Sequence, residues 1–111
     1  MPPVDGAVVV SQVDLVQSAD EIVGWLVAED FGKVVATFDA KMTRSLSEAK
    51  LREAWDSVVK KDGAFKSRGE AVATRQGGYD VVVVPGAFEN ADYTVKVVYD
   101  KAGKVSGLWI N

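Results

Sequence analysis

The 111-residue sequence contains neither cysteine nor histidine. Without cysteine there is no disulfide, no thiolate nucleophile and no thiolate-ligated metal. Without histidine the commonest general base and the commonest zinc ligand are missing. Any metal site would have to be built from oxygen alone, and no Asp-rich calcium loop is visible. The reading is therefore no metal and no cofactor. Clustered basic charge is also scarce. The 13 Lys and Arg residues are outnumbered by 16 Asp and Glu, for a net charge of −3, and Lys60-Lys61 is the one adjacent basic pair. A nucleic-acid surface needs concentrated positive charge to neutralise phosphates, so that class is set aside. Long apolar runs are lacking too. Nothing approaches the ~20 residues of a membrane helix. Met1–Gly6 has no positive n-region, Ala7–Val10 is too short for a signal core, and Asp14 soon interrupts the apolar stretch. These features read as a soluble, cytoplasmic chain, or as one domain excised from a longer protein.

What is present suits one folded domain. The 48% hydrophobic content supplies a single core at a length typical of one domain. Residues 1–16 read as a leader or an extra edge strand, with Val8, Val10 and Val13 available to pair with a sheet edge. Residues 17–111 read as the domain. Ser18 and Glu21 have capping-box spacing, which predicts a helix carrying Ile22, Trp25 and Leu26 inward. Asp30 resembles a second N-cap. Phe31, Val34, Val35 and Phe38 follow at helical spacing, with Met42 extending the stripe. A third helix is predicted after Ser45 or Ser47, with Leu51, Trp55 and Val58 apolar. Lys60 and Lys61 close its last turn and Gly63 is its left-handed cap.

Beyond Gly63 the period changes to two. Ala64–Arg75 reads as one strand with a bulge at Gly69, and Gly77-Gly78 as a hairpin turn. Tyr79–Val84 reads as a central strand, apolar on both faces. Pro85-Gly86 predicts a bulge or bend, because proline has no N–H to give a ladder. Asp92–Asp100 and Val105–Ile110 complete a meander. The expected fold class is α+β: three N-terminal helices packed on a curved four-stranded antiparallel sheet.

The order of Glu29-Asp30-Phe31, Phe38-Asp39, Met42, Leu51, Trp55 and Gly63-Ala64-Phe65 resembles a bacterial family catalogued as domain of unknown function 3887. Gly77-Gly78-Tyr79, Val82–Pro85, Phe88-Glu89, Asp100, Gly103–Val105 and Gly107-Leu108 continue the resemblance, which spans roughly residues 19–110. It implies a cystatin-like fold of the nuclear-transport-factor-2 type, commonly dimeric and often found ahead of an α/β-hydrolase domain. The chain itself has no Gly-x-Ser-x-Gly elbow and no histidine, so the hydrolase triad is absent.

Folds of the implied type can enclose a pocket between sheet and helices. Phe38, Asp39, Trp55, Phe88 and Trp109 are the expected lining of such a pocket, which would take a small apolar ligand. Asp39, Asp56 and Asp80 are candidate carboxylates, with Tyr79, Tyr93 and Tyr99 as candidate proton donors. Each has a plainer role available: Asp39 as a helix-end or turn residue, Asp56 in solvent, Asp80 as a cross-strand polar partner, the aromatics as core. No residue is assigned a catalytic role. Tyr93, Val95, Val97 and Tyr99 form one apolar strand stripe, and Tyr79, Val81 and Val83 another. Apolar residues on both sheet faces call for a second cover beyond the helices. The leading expectation is a homodimer through Tyr93, Val95, Val97 and Tyr99, acting as a non-catalytic accessory domain beside a hydrolase. The alternative is a small-molecule binding protein or acid–base enzyme.

Overall fold

The computed structural model describes residues 12–111, with side chains from Asp14 onward. The leader valines Val8 and Val10 lie outside the described residues. The first helix, α1, spans Gln12–Val27. It starts earlier than Ser18 because the buried stripe begins at Leu15 and runs through Ala19, Ile22, Val23 and Leu26. That stripe keeps a helical period, so the Ser18–Glu21 pattern lies within the helix and is not its cap. Val13 and the end of the expected leader are thus helical. α1 ends with Glu29 at φ +60°. The Asp30 N–H donates to the Trp25 carbonyl at 2.8 Å and the Glu29 N–H to that of Leu26 at 3.1 Å. This is a Schellman closure with glutamate at the position that glycine usually fills.

The expected second helix divides. α2 spans Phe31–Val35 and α3 spans Ala40–Ser45. Between them Phe38 forms a parallel bridge to Val105. The Val105 N–H donates to the Thr37 carbonyl at 2.9 Å, and the Asp39 N–H donates to the Val105 carbonyl at 2.9 Å. Asp39 then caps α3, its Oδ1 accepting from the Met42 N–H at 2.7 Å. The apolar stripe Phe31–Met42 is real as burial but is carried by two short helices joined by a strand-like step. α4 spans Glu48–Asp62 and is capped by Ser47, not Ser45. Leu51 and Trp55 are buried. Gly63 closes it at φ +86°, and a Cβ there would lie 2.6 Å from Glu89 Oε1.

The sheet is antiparallel with five strands, not four. β1 (Phe65–Arg68) and β2 (Val72–Gln76) both pair with β3 (Tyr79–Phe88), followed by β4 (Asp92–Tyr99) and β5 (Val105–Ile110). β1 and β2 are the expected single strand broken after Arg68, lying one after the other along the same side of β3. The Gly77-Gly78 turn joins β2 to β3 with both residues at positive φ, as a type I′ hairpin requires.

β3 continues through Pro85 with no bulge against β4, where a bulge or bend was expected. Its pairing with β4 is continuous from Asp80 to Ala87. Thr94, opposite Pro85, exchanges its two backbone hydrogen bonds with Asn111 of the other neighbour, at 2.8 and 3.0 Å. In an antiparallel ladder this makes Pro85–Thr94 a non-bonded pair, so the missing N–H points toward β1 and β2. The break between those strands falls at that point. The proline thus interrupts the edge strand and leaves the central one intact.

One face of the sheet carries the helices. Val82, Val84, Phe88, Val95, Val97, Tyr99 and Leu108 project into a core with Leu15, Ile22, Leu26, Phe31, Val34, Leu51 and Trp55. The expected interface residues Val95, Val97 and Tyr99 are therefore buried in the chain's own core, and Tyr93 lies at its margin. Strand parity that looked outward from the sequence is inward, because it matches Val82 and Val84 across the ladder.

Candidate functional site

Among the described residues no helix is stacked over the opposite sheet face. By strand parity it carries Val72 and Thr74 of β2, Tyr79, Val81, Val83 and Pro85 of β3, Thr94, Lys96 and Val98 of β4, and Gly107 and Trp109 of β5. Val72, Tyr79 and Trp109 are 56%, 48% and 49% exposed, three of the four large hydrophobic residues so exposed among those described. Val81 is buried yet does not belong to the core cluster. It is covered on the outer face by its neighbours. Lys96 is the one charge in the middle of this face, and its Nζ lies 5.5 Å from the Trp109 ring centroid. The indole lies over Gly107, where a Cβ would come within 2.5 Å of the ring. Glycine thus lets a large aromatic lie flat against the sheet. Such an apolar face with a single centrally placed cation suits contact with another protein surface.

The face is bordered at one end by α3 and the hairpin turns. A hollow of about 540 Å³ is lined by Gly77, Gly78, Tyr79, Asp100, Lys101 and Ala102. A second of about 310 Å³ is lined by Asp39, Lys41, Met42, Tyr79, Val98 and Ser106, among others. Tyr79 divides them. The carboxylates at both are engaged by backbone: Asp39 caps α3, and Asp100 Oδ1 accepts from the Ala102 and Lys104 N–H groups at 2.9 Å each.

The five expected pocket residues do not come together. Phe38 is buried against β5, Trp55 and Phe88 pack together in the core, Asp39 borders the second hollow, and Trp109 stands on the outer face. Trp55, Phe65, Phe88 and Tyr93 form one aromatic cluster with centroid separations of 5.2–6.4 Å. That is packing geometry, with tilted and edge-to-face rings. Beside it the Tyr93 hydroxyl donates to the buried Asp62 carboxylate. The hydrogen bond to Asp62, with burial and the Asp62 charge, raises the Tyr93 pKa. This holds Tyr93 as a neutral donor tying the end of α4 to β4.

Asp80 lies on the helix side of the sheet, buried, and faces Arg75 across the β2–β3 ladder at 3.2 Å. It is a cross-strand partner. Tyr99 donates to Ser18 Oγ at 3.0 Å. Burial pushes its pKa up to about 12, the Ser18 hydrogen bond opposes the shift, and Glu21 and Asp20 add to it. Asp56 is half-buried on α4. Among the described residues no three Asp or Glu gather closely enough to hold a metal ion, and no helix is long and apolar enough to cross a membrane.

A family model described as "Protein of unknown function (DUF3887)" matches residues 19–108. The chain belongs to this family. The match runs from Ala19 in α1 to Leu108 in β5, so it takes in α2 to α4, β1 to β4 and most of the open face, with Trp109 just beyond its end. No curated protein and no solved structure matches the chain. The sequence marks Tyr79, Val81 and Val83 as an apolar stripe. It did not reveal that Val72 and Trp109 share their face, since that depends on register across β2, β3, β4 and β5.

Proposed function

We propose that this DUF3887 chain is a non-catalytic interaction domain that forms a homodimer through the open face of its sheet. The observation that carries the reading is the apolar outer face, with Val72, Tyr79 and Trp109 each about half exposed around Val81, Val83 and Val98. Two such faces stacked about a two-fold axis would bury their apolar side chains against each other, as the inner faces of two packed sheets do. The helices-then-sheet order, with helices on one side of an antiparallel sheet, is compatible with a cystatin-like fold of the nuclear-transport-factor-2 type, which we adopt as the finer description. An accessory role beside an α/β-hydrolase domain is part of the same proposal, in line with the family resemblance. The test is solution mass by sedimentation velocity for the wild type and Val83→Glu, which places a carboxylate in the middle of the open face. The reading expects a dimer that the substitution converts to a folded monomer.

A ligand-binding reading has one observation in its favour, the paired hollows on either side of Tyr79. Mass spectrometry of the purified, then denatured protein would reveal a retained compound. Its presence together with a monomeric mass would favour that reading over the dimer.

A further inference from the structure

The two edges of the sheet are built differently. The β1–β2 edge is broken after Arg68, has a register irregularity between Phe65 and Ser67, and bears Lys66, Arg68 and Arg75. Breaks, bulges and charges of this kind prevent an edge from templating another strand. β5 forms the other edge. Its six residues, Val-Ser-Gly-Leu-Trp-Ile, include no charge and no proline.

The phase of the ladder shows which backbone groups face outward there. Thr94 and Asn111 exchange both hydrogen bonds. Alternation then places Lys96–Trp109 as the next bonded pair and leaves Val95–Ile110 and Val97–Leu108 unbonded. The N–H and C=O of Leu108 and Ile110 therefore point away from β4. Farther back on the same edge, Val105 is satisfied by Thr37 and Asp39. Among the described residues no segment continues that pairing to Leu108 and Ile110.

Next to these groups runs an apolar groove of about 190 Å³. Leu51, Ala54 and Val58 of α4 form its helical wall, and Leu108, Trp109 and Ile110 of β5 its strand wall. Lys50, Ala54, Val58 and Lys61 follow one another on α4 at steps of four, four and three residues, so the two lysines bracket the groove along one stripe. Neither takes part in an ion pair within the described residues.

We propose that the β5 edge and this groove bind an extended peptide segment of a partner protein by strand addition. The peptide backbone would bond to Leu108 and Ile110. An aliphatic side chain would enter the groove against Ala54 and Val58, and acidic residues flanking the aliphatic core would meet Lys50 and Lys61. Main-chain bonds supply affinity in this mode, and pockets for alternate side chains supply selectivity. The surface adjoins the open sheet face at Trp109, but its backbone groups point out from the sheet edge, so it does not require the dimer.

The probe is a blocked heptapeptide, Glu-Val-Thr-Val-Thr-Val-Glu, titrated into the 15N-labelled full chain and followed by amide spectra. The expected result is a saturable shift of the Leu108 and Ile110 amides below about 1 mM peptide, with their hydrogen exchange slowed. Ala54→Glu, at an exposed helical position, should weaken binding about tenfold or more with the melting temperature unchanged. A lysine-flanked peptide of the same core should also bind more weakly. Absence of a saturable shift overturns the proposal. So does an affinity within about twofold of wild type in Ala54→Glu, or shifts centred on Val72 and Val83 in place of β5.

Discussion

Glu29 holds a left-handed backbone conformation, φ +60°, at the end of α1. A side chain there costs roughly 1–2 kcal/mol relative to the right-handed form, offset in part by the greater unfolded-state freedom of glycine. Glu29→Gly should therefore stabilise the chain by about 0.5–1 kcal/mol in urea denaturation; a lower midpoint would show that Glu29 makes an offsetting contact. Trp55 is buried between Phe65 and Phe88. Trp55→Ala should cost about 3–5 kcal/mol, as core aromatic truncations do, and a loss under about 1 kcal/mol would remove Trp55 from the core. Tyr99 supplies a pH signature. Its folded-state pKa of about 12 lies above the ordinary tyrosine value of 10.0. The folded state thus binds the phenolic proton more tightly, and that stability is complete below pH 10. It is lost as pH rises from about 10 through 12, by about 2–3 kcal/mol. Tyr99→Phe should flatten this part of the stability profile, and an equally steep alkaline loss in the variant would assign the effect to other groups.

At the scale of elements, local chemistry was legible where one residue type decides the backbone. Ser47 and Gly63 bound α4, and Gly77-Gly78 turns a hairpin, each through a requirement that few other residues meet. Misreadings arose where the deciding partner is distant in sequence. Ser18 has the spacing of a cap, but the helix continues through it and its hydroxyl meets Tyr99, 81 residues away. Phe38 keeps helical spacing with Phe31 and Val34, yet Val105 draws its backbone into a bridge. Pro85 is tolerated in a central strand because its imide faces the break between β1 and β2. Gly63 joins α4 to the sheet at a crowded point, where the Glu89 side chain accepts from the Ala64 N–H at 2.8 Å. Its positive φ and the 2.6 Å approach of Glu89 both oppose a Cβ. Gly63→Ala should cost at least about 1 kcal/mol; an unchanged denaturation midpoint would mean that Glu89 moves aside freely.

At the scale of the whole molecule, the sequence disclosed that both sheet faces are apolar but not which of them the helices cover. Alternation assigns side chains to two sets, while the choice between the sets depends on how α1 and α4 dock. The docked arrangement buries Val95, Val97 and Tyr99 and leaves Val72, Tyr79 and Trp109 in solvent. The pocket expected from Phe38, Asp39, Trp55, Phe88 and Trp109 is dispersed by the same choice, since it draws residues from the core, from an edge hollow and from the outer face. The self-association account now rests on the outer face alone. Its most direct test is the sedimentation-velocity mass of the full chain at about 100 μM, a concentration at which weak dimers of typical interface size are populated. The account predicts a mass twice the 11.9 kDa of the chain for the wild type and a monomer with an unchanged circular-dichroism spectrum for Val83→Glu. A monomeric wild type, or a dimer that persists in Val83→Glu, would contradict it.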